Sequence, residues 1–244
     1  HPEGIFFKMG VLDFAGGTVV HMSAGWAALA GAIFSGKRKA EKPNPARITY
    51  VLLGTGLLWF GWFGFNSGSA LGANGIAVQA LGTTTIAAAA AGMAWVFLDK
   101  ILGHKLSAMG ACIGVVVGLV AITPSAGFVS IPHAMFIGVF ASIVSNIMVR
   151  CFHKSKIDDA LDVFACHGIG GMVGMLLTGV FASNTVNPAV GENQGLIFGD
   201  ATLFLNQLTA LIIVSIFAFS ASYFLFFIVN KITPLRVSEE KEVL

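Results

Sequence analysis

Apolar residues in this chain fall into runs of about 20, broken by short polar, proline- or glycine-bearing stretches, and runs of that length can cross a hydrocarbon core about 30 Å thick. Seven such spans are predicted, at about 12–35, 47–68, 75–99, 107–122, 132–152, 161–182 and 202–230. The second is rich in aromatics (Trp59, Phe60, Trp62, Phe63, Phe65), and the third carries alanine at every position from Ala87 to Ala91. The fourth is short, glycine-bearing and closes at Thr123-Pro124. The connector 36–46 holds the Pro43-Asn-Pro45 breaker, which stops any helix there. The one long irregular connector, about 183–201, is weakly acidic through Glu192 and Asp200. Residues 231–244 form a tail.

Lysine and arginine test this partition, because they gather in the loops on the cytoplasmic side. With seven spans the connectors alternate between sides. Lys37, Arg38, Lys39, Lys42 and Arg47 fall in the first, Lys100 and Lys105 in the third, Arg150, Lys154 and Lys156 in the fifth, and Lys231, Arg236 and Lys241 in the tail. Thirteen of the 14 basic residues thus share one side, and Lys8 is the exception. A missing or extra span would scramble the pattern. The chain is therefore expected to start outside and end in the cytoplasm, as a multi-pass protein of the cell membrane.

Composition agrees. Of the 244 residues 56% are hydrophobic and 11% charged, with mean hydropathy +0.83, whereas a soluble domain carries about 25% charged residues. A net charge of +2 is too small to imply nucleic acid. Cys112, Cys151 and Cys166 are odd in number and lie in or beside apolar runs, so no disulfide framework is expected. No signal-peptide pattern precedes the first span and the first residue is His, so the chain is expected to begin partway into a longer protein.

Ionisable residues inside membrane spans are costly and usually functional. His1, His104, His133 and His153 lie at surfaces, but His21 and His167 fall inside apolar runs. One lies about eight residues from the outer face and the other about six from the inner, a depth of roughly 9–12 Å at 1.5 Å per residue. They either meet near the midplane or are bonded separately to neighbouring helices. Asp13 and Asp162 sit at helix starts, where a carboxylate caps free N–H groups; that role is expected ahead of cation binding. Gly16, Gly17, Gly168, Gly170, Gly171 and Gly174 flank the histidines and permit close helix approach. Spans one and six cross in opposite directions with similar Asp–Phe–His content, as in an inverted repeat with its site at the midplane. No nucleotide or phosphate motif appears, and two isolated histidines make a poor metal site. A lysine is also missing from the seventh span, which argues against a retinal protein.

Three stretches carry a family resemblance: Asp13-Phe-Ala-Gly-Gly-Thr-Val-Val-His21, Gly61-Trp-Phe-Gly-Phe-Asn-Ser-Gly-Ser69 and Asp162-Val-Phe-Ala-Cys-His-Gly-Ile-Gly-Gly171. They resemble the ammonium transporter (Amt/Rh) family, on its Amt branch, across essentially the whole chain. The resemblance implies an all-α membrane fold of eleven helices, two inverted five-helix repeats plus a last long helix, of which these seven look like helices five to eleven. It implies a homotrimer with one pore per subunit, in contact with a PII-type signal protein at the cytoplasmic face. It also implies a transporter rather than an enzyme, working without a cofactor. By position, His21 and His167 match the family's twin histidines, Phe65 the inner phenylalanine of the gate, and Ser69 a hydroxyl of the recruitment site. Trp62 matches the ring beside the histidines, Leu58, Val116 and Val163 pore-lining positions, and Asp13 a structural acid. The family's first four helices, with the outer phenylalanine and a recruitment-site tryptophan, have no counterpart here.

The resemblance implies passage of ammonia: ammonium sheds its proton behind Phe65, and the histidine pair can relay it. Two other readings stay open. One is an ammonium sensor reporting occupancy on the cytoplasmic side. The other is a structural or interaction subunit whose histidines are merely buried.

Overall fold

The structure is a computed structural model, and it describes residues 3–39, 47–238 and 241–242. The Pro43-Asn-Pro45 breaker, Lys42 and His1 lie outside the described residues, as does part of the tail. A single turn, α1 (Ile5–Lys8), precedes the first span. The long elements are α2 (Ser23–Ser35), α3 (Ile48–Gly68), α4 (Gly75–Ile101), α5 (Ala108–Ile122), α6 (Ile131–Lys154), α7 (Ile169–Phe181) and α8 (Thr202–Ile232). Two π-helical turns lead directly into α2 and α7, at Gly17–Met22 and Phe164–Gly168. The described residues are helical with no strand. Six helices are long and apolar enough to cross a membrane when each π turn is counted with the helix it starts. The seventh, α5, is shorter.

α5 has 15 residues, about 22 Å at 1.5 Å per residue. Its shortness has a physical reason. The chain leaves the helix at Thr123-Pro124 and folds into a turn whose Thr123, Ser125, Ala126, Phe128 and Val129 are all buried. That turn receives the start of the chain. Phe14 N–H donates to Pro124 O at 3.0 Å, and the Phe14 ring meets Phe128 edge-on at 5.3 Å. A side chain on Gly127 would occupy the Phe14 ring. The first span consequently turns helical at Gly17, five residues later than its apolar run begins, with Gly16 in the left-handed region (φ 100°) at the entry. The sixth likewise becomes helical at Phe164 rather than at 161.

The alanine run of α4 is the packing centre. Gly118 and Gly138, from α5 and α6, both face the backbone carbonyl of Ala87, where neither could carry a Cβ. Small residues on all three helices let the backbones approach, which is how membrane helices gain contact where water drives nothing together. Side-chain hydroxyls add bonds there: Ser142 Oγ donates to Ala91 O at 2.8 Å and Thr83 Oγ1 to Ala126 O at 2.7 Å. By contrast, α3 packs on α4 and α5 along one edge and leaves Leu52, Leu53, Leu57 and Phe60 exposed.

The two ends of the bundle differ in chemistry. At one, Arg38 from the first connector grips Asp158 from the fifth, with two guanidinium bonds of 2.5 Å. There Arg236 of the tail donates to Ser35 O and Lys37 O at 2.8 and 2.9 Å. Arg150 meets the buried Asp99 at 2.5 Å, joining the ends of α4 and α6. The basic connectors therefore come together in space. At the opposite end neutral groups do the tying: Gln207 exchanges bonds of 3.0 and 2.7 Å with the Leu12 backbone, and Gly195 N–H donates to Ala182 O at 2.8 Å.

Candidate functional site

Each histidine is carried by a π turn, and each turn is anchored by a carboxylate eight residues upstream. Asp13 Oδ1 accepts from Gly16 and Gly17 N–H at 3.1 and 2.7 Å, and Oδ2 from Thr18 N–H at 3.0 Å. On the other arm the anchor is Asp159, whose two oxygens accept from Val163 and Phe164 N–H at 3.0 and 2.7 Å. These N–H groups have no partner within the helix, and a side-chain acceptor satisfies them. Burial pushes the Asp159 carboxyl above the ordinary range of an aspartate, against the pull of those N–H groups.

The expectation that Asp162 caps this helix is corrected by the geometry. Asp162 has φ 55°, an unusual conformation for a residue with a Cβ, and its carboxylate turns back to His153 Nε2 at 2.9 Å. A side chain set that way faces α6 rather than the helix start. The repeat therefore pairs Asp13 with Asp159 and His21 with His167. In register, α2 and α7 both begin two residues after their histidine and both run 13 residues. A shared eight-residue spacing was the sequence signal for Asp159.

The two arms cross at glycine. A Cβ on Gly25, one turn after His21, would lie on the Cα and N of Gly168, the residue after His167. A Cβ on Gly171 would sit 3.0 Å from Gly17 O and Met22 N. At this crossing His21 Nδ1 and His167 Nδ1 stand 3.3 Å apart, so the sequence alternative of separately bonded histidines does not hold. A proton between two imidazole nitrogens makes one ring donor and the other acceptor. The donor ring then has a bare Nε2 and the acceptor ring an Nε2–H, so moving a proton through the pair changes both outer nitrogens together. His21 is 5% exposed, and its Nε2 is buried with no hydrogen-bond partner among the described residues.

Trp62 stacks on the His21 ring at 5.1 Å and 20°, and Phe65 closes the same ring at 5.8 Å. The indole is itself fixed, with Nε1–H donating to Thr123 Oγ1 at 3.0 Å. Trp62→Phe removes that buried bond while keeping an aromatic ring. We expect a loss of about 1–2 kcal/mol, read as a lower thermal unfolding midpoint. Ser69 ends α3 and donates its Oγ–H to Phe65 O at 2.9 Å, leaving its lone pairs for another donor. Val116 packs half-buried beside Trp62. Leu58 is exposed on the open face of α3, and Val163, four residues before His167, lines a cavity at the basic end. Asp159 and Gly25 are the site residues that sequence reading missed. No group of three or more His, Cys, Asp or Glu that could hold a metal ion occurs among the described residues.

Antiparallel helix arms with a histidine pair in contact at their crossing define an inverted-repeat membrane protein. The profile of the Ammonium Transporter Family matches residues 1–244, and the chain belongs to that family. An ammonium transporter of Aquifex aeolicus is 45% identical over 241 residues, covering 98% of this chain and 56% of the relative. Ammonium transporter Amt1 of Archaeoglobus fulgidus is 44% identical over 242 residues, covering 98% and 61%. Among solved structures, Mep2 of Candida albicans superposes with TM-score 0.90 at 34% identity, covering 97% of this chain and 55% of that one. A protein titled Sensor Amt Protein gives TM-score 0.88 at 33% identity, covering 98% and 60%. The chain thus spans a little over half the length of these relatives. Its family and curated relatives are transporters rather than enzymes.

Proposed function

We propose that the full-length protein carries ammonium across the membrane as ammonia, with His21 and His167 at the narrowest point and able to relay the proton. The observation that supports this reading is the 3.3 Å Nδ1–Nδ1 contact between the buried His21 ring and the half-buried His167 ring, inside otherwise apolar helices. Potassium resembles ammonium in size and charge, and an unsolvated unit charge in a membrane costs at least about 2.5 kcal/mol. Ammonium can shed its charge and potassium cannot. Trp62 and Phe65 close over His21 on the outer side and strip water from what enters; Ser69 offers a hydroxyl oxygen before them, and Asp13 holds the π turn in place. Leu58, Val116 and Val163 are the proposed apolar lining.

On this reading the basic end faces the cytoplasm, as the joined arginines and lysines suggest, and three copies assemble with a pore in each. The tail around Arg236 is the proposed contact for a PII-type partner. The likeness to a sensor protein favours a second reading, in which occupancy is signalled through that tail. The decisive experiment is His21→Ala combined with His167→Ala in the full-length protein. Ammonium current is expected to fall or discrimination against potassium to be lost; if both survive unchanged, the relay is wrong.

A further inference from the structure

The loop between α6 and the second π turn carries three carboxylates in five residues, each committed to a different part of the molecule. Asp158 holds Arg38 of the first connector. Asp159 holds the N–H groups of Val163 and Phe164. Asp162 holds His153, on the last turn of α6, at 2.9 Å. Arginine stays charged at physiological pH and amides do not titrate there, whereas histidine is the residue type whose charge ordinarily changes between about pH 5 and 8.

The placement of this pair gives it leverage. Asp162 lies five residues before His167, at a left-handed φ of 55° that surrounding contacts must maintain. Its carbonyl also accepts the Cys166 N–H at 2.9 Å, an α-type bond that leads into the π turn. The neighbouring residues repeat the attachment in apolar form, since Phe152 of α6 packs on Phe164 of the turn at 5.5 Å. Alongside runs a cavity of about 440 Å³, lined by Lys37, Arg38 and Lys39 of the first connector and by Asp158 and Asp159. Among the described residues, the charged groups around His153 are Asp162 in contact, those lining this cavity, and Arg150 and Lys154 on its own helix, with Arg150 turned to Asp99. Its side chain is 48% exposed, open to protons from the adjoining solution.

We propose that His153 and Asp162 form a proton-sensitive clasp that holds the His167 turn against α6. The pair is ionic when His153 is charged and reduces to a weaker neutral hydrogen bond as pH rises on the lysine-rich side. The control of passage rests on the ammonium-transport reading above; the movement of the turn does not.

Two measurements on the full-length protein keep these apart. In nanodiscs, hydrogen–deuterium exchange of residues 155–166, corrected for intrinsic rates, should speed up about two- to fivefold between about pH 6 and pH 8, the range expected for a half-exposed ion pair. His153→Gln should exchange fast at both values and His153→Arg slowly at both. In liposomes, with pH varied only on the lysine-rich side, ammonium flux should fall by a similar factor. It should be low throughout in His153→Gln and high throughout in His153→Arg. The Asp162→Asn variant should flatten both profiles. A wild-type profile in His153→Gln or Asp162→Asn, by either measurement, overturns the clasp, as does His153→Arg following His153→Gln. A wild-type protein without ammonium flux overturns the transport reading instead, and the exchange measurement still decides whether the clasp exists.

Discussion

Gly25→Ala is expected to lower the unfolding midpoint of the protein and to cut ammonium flux by roughly a hundredfold, the scale on which a displacement of about 1 Å disrupts a positioned site. Helix propensity alone points the other way, since alanine replacing glycine inside a helix gains about 1 kcal/mol. Packing decides the sign. The new methyl would fall on the Cα and N of Gly168, backbone atoms that cannot turn aside as a flexible side chain can. Overpacking of this kind costs about 1–3 kcal/mol, and relieving it means separating the two arms that carry His21 and His167. The 3.3 Å contact between the rings would open with them. Thermal unfolding and flux are measured on the same preparation. A raised midpoint with flux retained would show that the arms do not cross at Gly25.

Asp159→Ala should be nearly as damaging to stability, and clearly more so than Asp162→Ala. Removing Asp159 leaves two N–H groups at the start of the His167 turn without their acceptors. Loss of a capping side chain costs about 1 kcal/mol and up to about 2, and an unsatisfied buried donor costs about 1–3. Removing Asp162 deletes one half-exposed ion pair, worth about 1 kcal/mol or less. At about 2–4 °C per kcal/mol for a chain of this size, Asp159→Ala should lower the midpoint by about 4 °C or more, and Asp162→Ala by less. Equal midpoints for the two variants would return the capping role to Asp162.

The Asp159–Asp162 contrast shows where sequence reading stops. Six spans and the shorter seventh helix were legible because a membrane admits few solutions, and long apolar runs with basic residues in alternate connectors leave little choice of count. His21 and His167 stood out for the same reason: charge-bearing side chains inside such runs are rare. What lay beyond reach depended on backbone direction. Nothing in the composition of 158–162 says that Asp162 adopts a left-handed conformation, so the acid nearest the helix looked like its cap. Gly25 was lost among thirty glycines, since the one that matters is chosen by which residue lies opposite. The early end of α5 was hidden as well, because the turn at 123–129 is buried and so reads as a continuation of the apolar run. The π turns keep a helix-like sequence and leave no mark in hydropathy.

The opposed arms bear on which way a solute would travel. Turned end over end, α2 and α7 exchange places, and so do Asp13 with Asp159 and His21 with His167. A centre built like that meets a solute with the same backbone from either face and cannot act as a one-way valve. Trp62 and Phe65 break the equivalence, and both belong to α3, outside the matched pair. On the proposed reading, net movement at the crossing follows the gradient alone, and any rectification originates in the rings that α3 lays over His21.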